Sequence, residues 1–523
     1  MKRISALGVL IAILAAACGG NQNSGGSAPP NLNATIRIAA AEDTWPVQGQ
    51  GGKSTTFAYP LNVNVFEPLI YLASDYTLKP GLAESWELVQ PTTWRFHLRH
   101  GVTFHDGKAF TADDVMWTWA ERQLKTPTLS TVTNTLGAGS VKKVDDFTVD
   151  FTPTTPNLRL PQQIVHPEGA IVERGKDFET VPDGGTGPFK VTDYKPSQTV
   201  DLDRFDAYWG TKPKVKHMAI RFLPDPQTRL QALRSGQVDF VIDVSPTDVK
   251  SLASSGYRIV KAKPGKNQLI YINKQGKAPH DLGADAAIRE AVSLAIDRNA
   301  YVSTVFDGNA DPGRWMAPAS VLGKSADLVR AISIDSAKAG SVLDQTGWTK
   351  GADGIRTKNG RRLSLTMIGP PEITSVAFQF LQAEFRKVGI DSDFKVAADT
   401  ATFNNYYRNS DFDLDIEPPN QNDGNPAFLP VLRMYSKNSG TERFAPGGEF
   451  DQWAAKALTD TATDAVQNDA AQMMKILIDD QHIVAPLAGV ERLYAMKSSV
   501  SFGDPHPSQT NQTWFSLSVA GSS

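Results

Sequence analysis

The sequence predicts an α/β protein whose folded body runs from about Thr35 to Leu517. Stretches with the two-residue alternation of a β-strand are followed repeatedly by stretches with the spacing of an amphipathic helix, an order typical of α/β folds. A body of about 480 residues is long enough for two or three domains. Because Cys18 is the only cysteine, no disulfide can form within the chain, and the fold depends on its hydrophobic core.

The first 17 residues (1–17) have the pattern of a secretory signal peptide. Two basic residues precede an apolar run from Ala6 to Ala17, which is too short to span a bilayer as a helix. The end of this run resembles a bacterial lipobox, although Ala15 stands where leucine is commonest, so we expect Cys18 to carry a lipid. The alternative is an ordinary secretory signal that happens to contain a cysteine.

Residues 18–34 are rich in Gly, Asn, Ser and Pro and have no apolar periodicity, which predicts a flexible tether behind the lipidated cysteine. Such a tether would hold the folded body close to a membrane. The whole chain has 53 Lys and Arg against 56 Asp and Glu, a net charge of −3, and it has no basic run. This mild acidity argues against nucleic acid as a partner.

The first predicted strand is Thr35–Ala40, where polar and apolar residues alternate. The stretch 93–99 (TWRFHLR) alternates in the same way and predicts a half-buried strand. Residues 102–104 are expected to return as a strand before a tight turn at 105–107 (HDG). Thr111 then caps a helix whose first turn carries two aspartates, where negative charge suits the helix dipole.

The rest of the chain continues this alternation. Strands are predicted at 189–194 and 238–242. Helices are predicted from Asp225 to a stop near Gly236, at 286–296, and at 375–388 with Gly389 as a left-handed stop.

Three segments carry a family resemblance. The first joins LAESWE at 82–87 to WRFHLRHGVTFHDGKAFTADDV at 94–115. The second, at 185–240, contains GTGPFKVTDYKP, DAYWGTKPKV and PDPQTRLQALRSGQVDF. The third, at 288–298, ends in AIDR and is followed by FRKVGID at 385–391. In these segments and their order the chain resembles the family 5 extracellular solute-binding proteins, the peptide- and nickel-binding group of ABC importers.

The resemblance implies a two-lobed clamshell, the type II periplasmic-binding-protein fold with an extra subdomain in the first lobe. Lobe I would comprise residues 35–62, 183–270 and 482–523, with the inserted subdomain at 63–182. Lobe II would comprise residues 271–481. Closure of the lobes on a solute would exclude water and strengthen each polar contact to it.

Motifs that could suggest metal binding or catalysis are better explained structurally. His97, His100 and His105 are close in sequence, but His97 projects from an exposed strand face and His105 belongs to the HDG turn. Residues 52–54 (GKS) lack the upstream glycine of a phosphate-binding loop, and neither HExxH nor GxSxG occurs. We therefore expect a protein that is not an enzyme, with no catalytic residue, no metal site and no cofactor.

The residues that would hold the solute are harder to predict. In peptide-binding members of the family, a carboxylate before a D-P-x-x-F-L segment holds the peptide's ammonium group. Here that position falls on Asn422, with Asp423 one place later. A neutral amide cannot neutralise an ammonium, so either Asp423 takes the role or the solute has no free amino terminus. A plain surface loop is the alternative for this stretch.

Further candidates follow from their positions after family-matching strands. Amides, charges and aromatic walls are the usual lining of a small-molecule cleft, and for each candidate core packing or surface exposure is the alternative. The predicted lining comprises Glu42, Asp43, Trp45, Asn62, Asn64, Trp315, Arg433 and Tyr435 beside Asn422 and Asp423.

The sequence thus predicts a monomeric, lipid-anchored binding protein that passes a peptide or peptide-like solute to the permease and ATPase subunits of an ABC importer. It would lie in the periplasm or on a Gram-positive or actinobacterial surface. A non-peptide solute is an alternative: an oligosaccharide, an opine-like conjugate, haem or chelated nickel. More distant alternatives are a lipid-anchored hydrolase, and an adhesive or sensory lipoprotein that has lost its transporter.

Overall fold

The structure is a computed structural model, and it describes residues 29–41, 63–123, 136–165, 169–176, 184–316, 323–329, 332–370, 373–416, 420–421, 448–503, 505–507 and 512–521. Within these ranges strands and helices alternate along the chain.

The strands are β1 (Thr35–Ala40), β2 (Ile70–Leu72), β3 (Leu78–Pro80), β4 (Ala83–Gln90), β5 (Thr93–Leu98), β6 (Val141–Asp145), β7 (Thr148–Phe151), β8 (Phe189–Lys195), β9 (Thr199–Arg204), β10 (His217–Phe222), β11 (Phe240–Ile242), β12 (Arg258–Lys261), β13 (Lys266–Ile272), β14 (Ala310–Pro312), β15 (Thr349–Lys350), β16 (Arg356–Lys358), β17 (Arg361–Arg362), β18 (Ser364–Gly369), β19 (Asp391–Val396), β20 (Leu414–Ile416), β21 (Asn420–Gln421), β22 (Val484–Val490), β23 (Leu493–Met496), β24 (Val500–Ser501) and β25 (Ser518–Val519).

The α-helices are α1 (Ala112–Met116), α2 (Leu160–Gln163), α3 (Pro226–Arg234), α4 (Val249–Ser254), α5 (Ala286–Ala295), α6 (Arg298–Phe306), α7 (Ser336–Gln345), α8 (Ser375–Lys387), α9 (Thr400–Asn409), α10 (Glu449–Thr459) and α11 (Thr463–Lys475). Helices α1 and α11 continue into π-helical turns, Trp117–Gln123 and Ile476–Asp480.

The first large sheet has seven strands in the order β12-β23-β11-β1-β10-β9-β8. Strand β1 lies parallel to both β10 and β11, so the carboxyl ends of all three meet at one edge. Its buried side chains, among them Ile36, Ile38, Ile220 and Phe240, form one hydrophobic core with Trp514.

The second large sheet has the order β14-β22-β13-β20-β18-β19, and β21 also pairs with β13. Helices α5, α6 and α8 pack against it through a core that includes Ile288, Tyr301, Phe378 and Leu365. A further core on this side joins Tyr271 and Ile368 to helices α10 and α11, and it is defined here as the α10–α11 cluster.

A four-stranded sheet, β4-β5-β7-β6, lies in the part of the chain between β1 and β8. Its core contains Phe96, Leu98, Phe151 and Trp119, and it is separate from the cores of the two large sheets. We refer to residues 63–182, so far as they are described, as the subdomain.

Most of the predicted elements are present. Strand β1 has the predicted bounds, and in β5 Phe96 and Leu98 are buried as the alternation predicts. Thr111 caps α1 with a capping box that Asp114 completes. The return strand predicted at 102–104 is wrong: Thr103 makes only an isolated bridge to Ala109, because the chain turns back too tightly for a ladder.

Helices α5 and α8 begin at the predicted residues, and α3 begins one residue after the predicted Asp225, which caps it. All three end within one to two residues of the predicted stops. The stop glycines Gly236 and Gly389 have φ of 76° and 87°, a backbone region that side chains with a Cβ seldom adopt. Each of these three helices is capped at its amino end by an Asp or Thr side chain.

The chain passes from the first large sheet to the second between β12 and β13, and it returns between β22 and β23. The hydrogen bonding therefore changes sheet at residues 262–265 and 491–492. The predicted lobe boundaries lie nearby, at 270/271 and 481/482, and the division into lobes at those residues stays a prediction.

Candidate solute-binding site

The two connections between the large sheets are joined to each other. Ala262 N donates to Arg492 O at 2.9 Å, so the outgoing and returning segments lie side by side. Gly265 lies in the outgoing segment, where a Cβ would come 2.0 Å from Pro507 O. Only glycine fits there, because a third segment of backbone crosses the connection at that point. These connections are defined here as the crossing.

Polar side chains join the two large sheets at the crossing. Lys261 Nζ, at the end of β12, donates to Asn309 Oδ1 at 2.9 Å, just before β14. The Asn309 amide in turn donates to Pro246 O at 3.1 Å on the side of the first sheet. Lys261 Nζ also lies 3.2 Å from Glu491 Oε2. The sheets therefore contact each other through a few exchangeable polar bonds, as expected of a hinge.

A buried guanidinium lies in the returning segment. Arg492, whose side chain is 3% exposed, forms an ion pair with Asp243 at 2.5 Å. Within the described part of the chain, its Nε and Nη1 atoms have no hydrogen-bond partner. Asp243 directly follows β11, so this pair lies at the edge where the parallel strands of the first sheet end, a common place for ligands in α/β sheets.

On the second sheet, the start of β13 is tied to the loop after β14. Asn267, which is buried, donates through Nδ2 to Met316 O at 2.9 Å. The neighbouring Gln268 accepts from the Tyr301 hydroxyl at 2.8 Å. Trp315, a predicted lining residue, is held in this loop because its Nε1 donates to Ala326 O at 3.0 Å. The cation of Arg314 lies 4.6 Å from the centre of its ring.

Asn64, another predicted lining residue, is fully buried. Its Nδ2 donates to Gln512 O at 2.9 Å and its Oδ1 accepts from Trp514 N at 2.9 Å. The amide thus joins the start of the subdomain to the carboxyl-terminal segment. The structure does not bring Asn64 and Trp315 into a shared contact, and a ligand role for either remains a prediction.

The remaining predicted site residues lie outside the described residues. Two described strands nevertheless lead directly into them. Strand β1 ends at Ala40, shortly before the predicted residues 42–45, and β21 pairs with Lys266 and Asn267 at the crossing and is followed at once by residues 422–423. The residues outside are Cys18, Glu42, Asp43, Trp45, Asn62, Asn422, Asp423, Arg433 and Tyr435.

The family-like strings GTGPF and DAYWG meet at one buried carboxylate, Glu67. Each of its oxygens accepts two hydrogen bonds, at 2.8–2.9 Å, and the four donors are Tyr71, Tyr208, Thr186 and Trp209. Burial raises the pKa of Glu67 above its ordinary value, and the four donors oppose that rise. We define this group as the Glu67 cage. The two strings, about 20 residues apart in the sequence, thus build one polar core with a carboxylate that lies 119 to 142 residues before their donors.

The histidines near the subdomain sheet also have structural partners. His97 Nε2 lies 3.2 Å from Glu87 Oε1 on the neighbouring strand, and His105 Nε2 lies 3.0 Å from Gly187 O. Among the described residues, no group of three or more His, Cys, Asp or Glu side chains is arranged to hold a metal ion. In the same ranges, no helix combines the length and the hydropathy that a membrane crossing requires.

A family model described as "Bacterial extracellular solute-binding proteins, family 5 Middle" matches residues 77–441. The chain belongs to this family. Protein XP55 of Streptomyces lividans is 30% identical over 381 residues, which cover 70% of this chain and 67% of XP55. The dipeptide-binding protein of Escherichia coli K12 is 27% identical over 300 residues, which cover 52% of this chain and 55% of that protein.

Solved structures of the family share the fold. NikA from Brucella suis, in complex with Fe(III)-EDTA, superposes with a TM-score of 0.81 at 23% identity, covering 93% of this chain and all of NikA. The predicted fold class is therefore confirmed: a two-lobed α/β clamshell of the family 5 type. The chain is a family 5 ABC substrate-binding protein, not an enzyme, and such proteins act outside the cytoplasm.

Sequence reasoning missed the polar residues of the crossing, Lys261, Asn309 and Arg492. Their only sequence signal is that a charged or amide residue stands at or beside the end of a strand. Which strand ends face each other across the two sheets depends on the fold, and that information is not local.

Proposed function

We propose that this chain is a lipid-anchored, monomeric substrate-binding protein that captures a peptide or peptide-like solute by lobe closure and delivers it to the permease of an ABC importer. The observation that carries the proposal is the crossing. Two seven-stranded sheets are connected by two short segments of chain, and the side-chain contacts at those segments are polar and exchangeable. A solute that binds both lobes would favour the closed form by its differential affinity.

Peptide recognition is supported by how strands end at the crossing. Strand β21 adds a short antiparallel pairing at the first residues of β13, and Asn422 and Asp423 come next in the chain. An extended peptide uses main-chain pairing of this kind along its length, with a carboxylate for its ammonium group. Asp423 is the residue that we assign to that ammonium.

A non-peptide solute is the second candidate, and Asn422 favours it. The residue at the family's anchor position is a neutral amide, which suits a hydroxyl or carbonyl group better than an ammonium. The ligands named for similar proteins also differ in chemical class: one relative is called a dipeptide-binding protein, and the NikA structure holds an iron chelate. An oligosaccharide, an opine-like conjugate, haem or chelated nickel would each be compatible with this amide.

Native mass spectrometry of residues 19–523, purified without refolding, tests the solute class. Bound masses that differ by amino-acid residues are expected, and they should be depleted in Asp423→Asn but not in the control Asp146→Asn, whose side chain is exposed. A single non-peptide mass that survives Asp423→Asn would overturn the peptide assignment and leave the binding role intact.

Membrane attachment is tested separately with the full chain. We expect wild type to partition with membranes and Cys18→Ser to be released to the soluble extracytoplasmic fraction, because the proposed lipid on Cys18 would be what holds the body at the membrane. Equal partitioning of the two proteins would contradict the anchor.

A further inference from the structure

A loop of the subdomain caps a helix on the far side of the crossing. Helix α10 packs in the α10–α11 cluster, against the second large sheet. The last carbonyl groups of a helix have no partner within the helix. Here Leu458 O accepts from Leu158 N at 2.8 Å, and Asp460 O accepts from Arg159 Nη2 at 2.6 Å. A cation in this position also suits the negative end of the helix dipole.

The capping loop is held in place by its own subdomain. Asn157, which is 1% exposed, donates through Nδ2 to Gln163 Oε1 at 2.8 Å, and its Oδ1 accepts from Arg159 N at 3.0 Å. Trp94 Nε1, on β5, donates to Asn157 O at 3.2 Å. The backbone at 157–159 is therefore held by the subdomain itself, so the Leu158 N–H is already placed without help from helix α10.

A second contact between the same two bodies supports the first. Tyr76 lies in a turn of the subdomain and packs against both the subdomain core and the α10–α11 cluster. The other neighbour of this turn is His506, which the predicted division assigns to lobe I: its ring lies edge-on to Tyr76 at 5.8 Å, and its Nε2 is 2.9 Å from Ala73 O. The subdomain thus touches the second body at two separate places, neither of which is the crossing.

We propose that the inserted subdomain is a closure clasp, in which residues 157–159 cap helix α10 only when the two lobes are together, and that Arg159 is a positioning residue for solute capture. The inference rests on the proposed function, since it assigns a role in lobe closure. Rotation about the crossing would separate loop 157–159 from the end of α10, so the clasp bonds add to the stability of the closed form alone. A bias of this kind raises the fraction of binding-competent molecules before any solute arrives.

The test uses the chain carrying Cys18→Ser, without added solute, as the reference protein. Three variants of it each carry one further substitution. Arg159→Met keeps the aliphatic stem and removes the donors, Arg159→Lys keeps a cation, and Arg174→Ala removes an exposed arginine of the same subdomain. Small-angle X-ray scattering gives the radius of gyration. Hydrogen exchange gives the opening of segments 157–160 and 456–460, with the β6–β7 hairpin as a reference for the subdomain's own stability.

Arg159→Met should exchange about threefold to tenfold faster in both segments, the factor that one net hydrogen bond represents. Its radius of gyration should rise, its β6–β7 hairpin should stay as protected as in wild type, and Arg159→Lys should recover part of both effects. Arg174→Ala should match wild type.

The clasp is overturned if Arg159→Met keeps wild-type exchange rates and radius of gyration. It is also overturned if the β6–β7 hairpin loses protection equally, since Arg159 would then serve the folding of the subdomain. Neither readout needs a solute, so failure here is distinguishable from failure of peptide capture.

Discussion

Two buried charged groups of this chain have opposite surroundings. At the Glu67 cage, four donors satisfy both carboxylate oxygens. At the crossing, Arg492 is almost as buried, yet among the described residues it has one ion pair, with Asp243, and two of its guanidinium nitrogen atoms lack a hydrogen-bond partner. The cage lies between the subdomain and the first large sheet, so under the predicted lobe division its bonds stay within one lobe. The crossing joins the two large sheets, which move relative to each other in the closure that we propose, and the buried guanidinium there is only partly hydrogen-bonded.

This comparison predicts its largest effect at Glu67. Glu67→Ala removes the acceptor of four buried, neutral donors. It should lower the free energy of unfolding by about 3–5 kcal/mol, because each buried donor left without a partner costs about 1–3 kcal/mol. Urea unfolding followed by fluorescence of the first-lobe tryptophans measures it. Glu87→Ala, at a carboxylate that is 61% exposed, is the matched control and should change little. A loss below about 1 kcal/mol for Glu67→Ala would mean that the donors find other partners.

The second prediction concerns pH at the same cage. Burial raises the pKa of Glu67 in the folded chain above the ordinary 4.5, so the folded form holds this proton more tightly than the unfolded form does. The resulting stabilisation is complete below pH 4.5 and is lost as the pH rises through the folded-state pKa. The stability of wild type relative to Glu67→Gln should therefore fall with rising pH, by at most about 1.4 kcal/mol per pH unit. A difference that stays constant from pH 4 to pH 8 would refute it.

A substitution in the crossing should lower the free energy of unfolding less than Glu67→Ala does. Arg492→Met removes one ion pair but also removes two nitrogen atoms that have no partner among the described residues. Asp243, 38% exposed, can take water in place of the guanidinium. A hydrogen bond to a charged group contributes about 1.5–3 kcal/mol. We expect the free energy of unfolding to fall by about 1–2 kcal/mol, at the low end of that range, because the unpartnered nitrogen atoms are removed with the guanidinium. Urea unfolding beside Glu67→Ala decides the ranking. If Arg492→Met costs as much as the cage variant, the crossing is as closely matched as the cage and the contrast fails.

The same contrast explains what the sequence could predict. Helices and strands with local signals were predicted, because Thr111, Asp225 and Gly236 act on neighbours a few residues away. The donors of the cage lie 4, 119, 141 and 142 residues from Glu67, and no periodicity links them. Only the family resemblance brought their strings together, and it did so without showing what they build.

Less of the solute-binding site than of the fold could be predicted from the sequence. The resemblance led to Asn64 and Trp315, and in the structure both side chains make hydrogen bonds to backbone groups of the chain itself. Whether a side chain faces a solute or the protein depends on how two distant segments pack. The strand-end residues Lys261 and Asn309 carried no motif, although they span the two sheets.

The smallest loss of unfolding free energy is predicted for a substitution at Lys261. This substitution tests most directly whether the contacts of the crossing are local and exchangeable, unlike those of the Glu67 cage. Lys261→Met removes the bonds to Asn309 and Glu491, but the lysine is 42% exposed, so the global free energy of unfolding should fall by no more than about 0.5 kcal/mol. Hydrogen exchange should nevertheless accelerate in segments 244–249 and 306–311, because the Asn309 side chain that bridges them loses its lysine partner. Lys250→Met, at an exposed lysine of helix α4, should do neither. If the crossing is held by a few exchangeable polar bonds, hydrogen exchange should become faster only in these two segments, while the global free energy of unfolding stays nearly unchanged. Acceleration spread evenly over both sheets would instead show that Lys261 supports the fold as a whole.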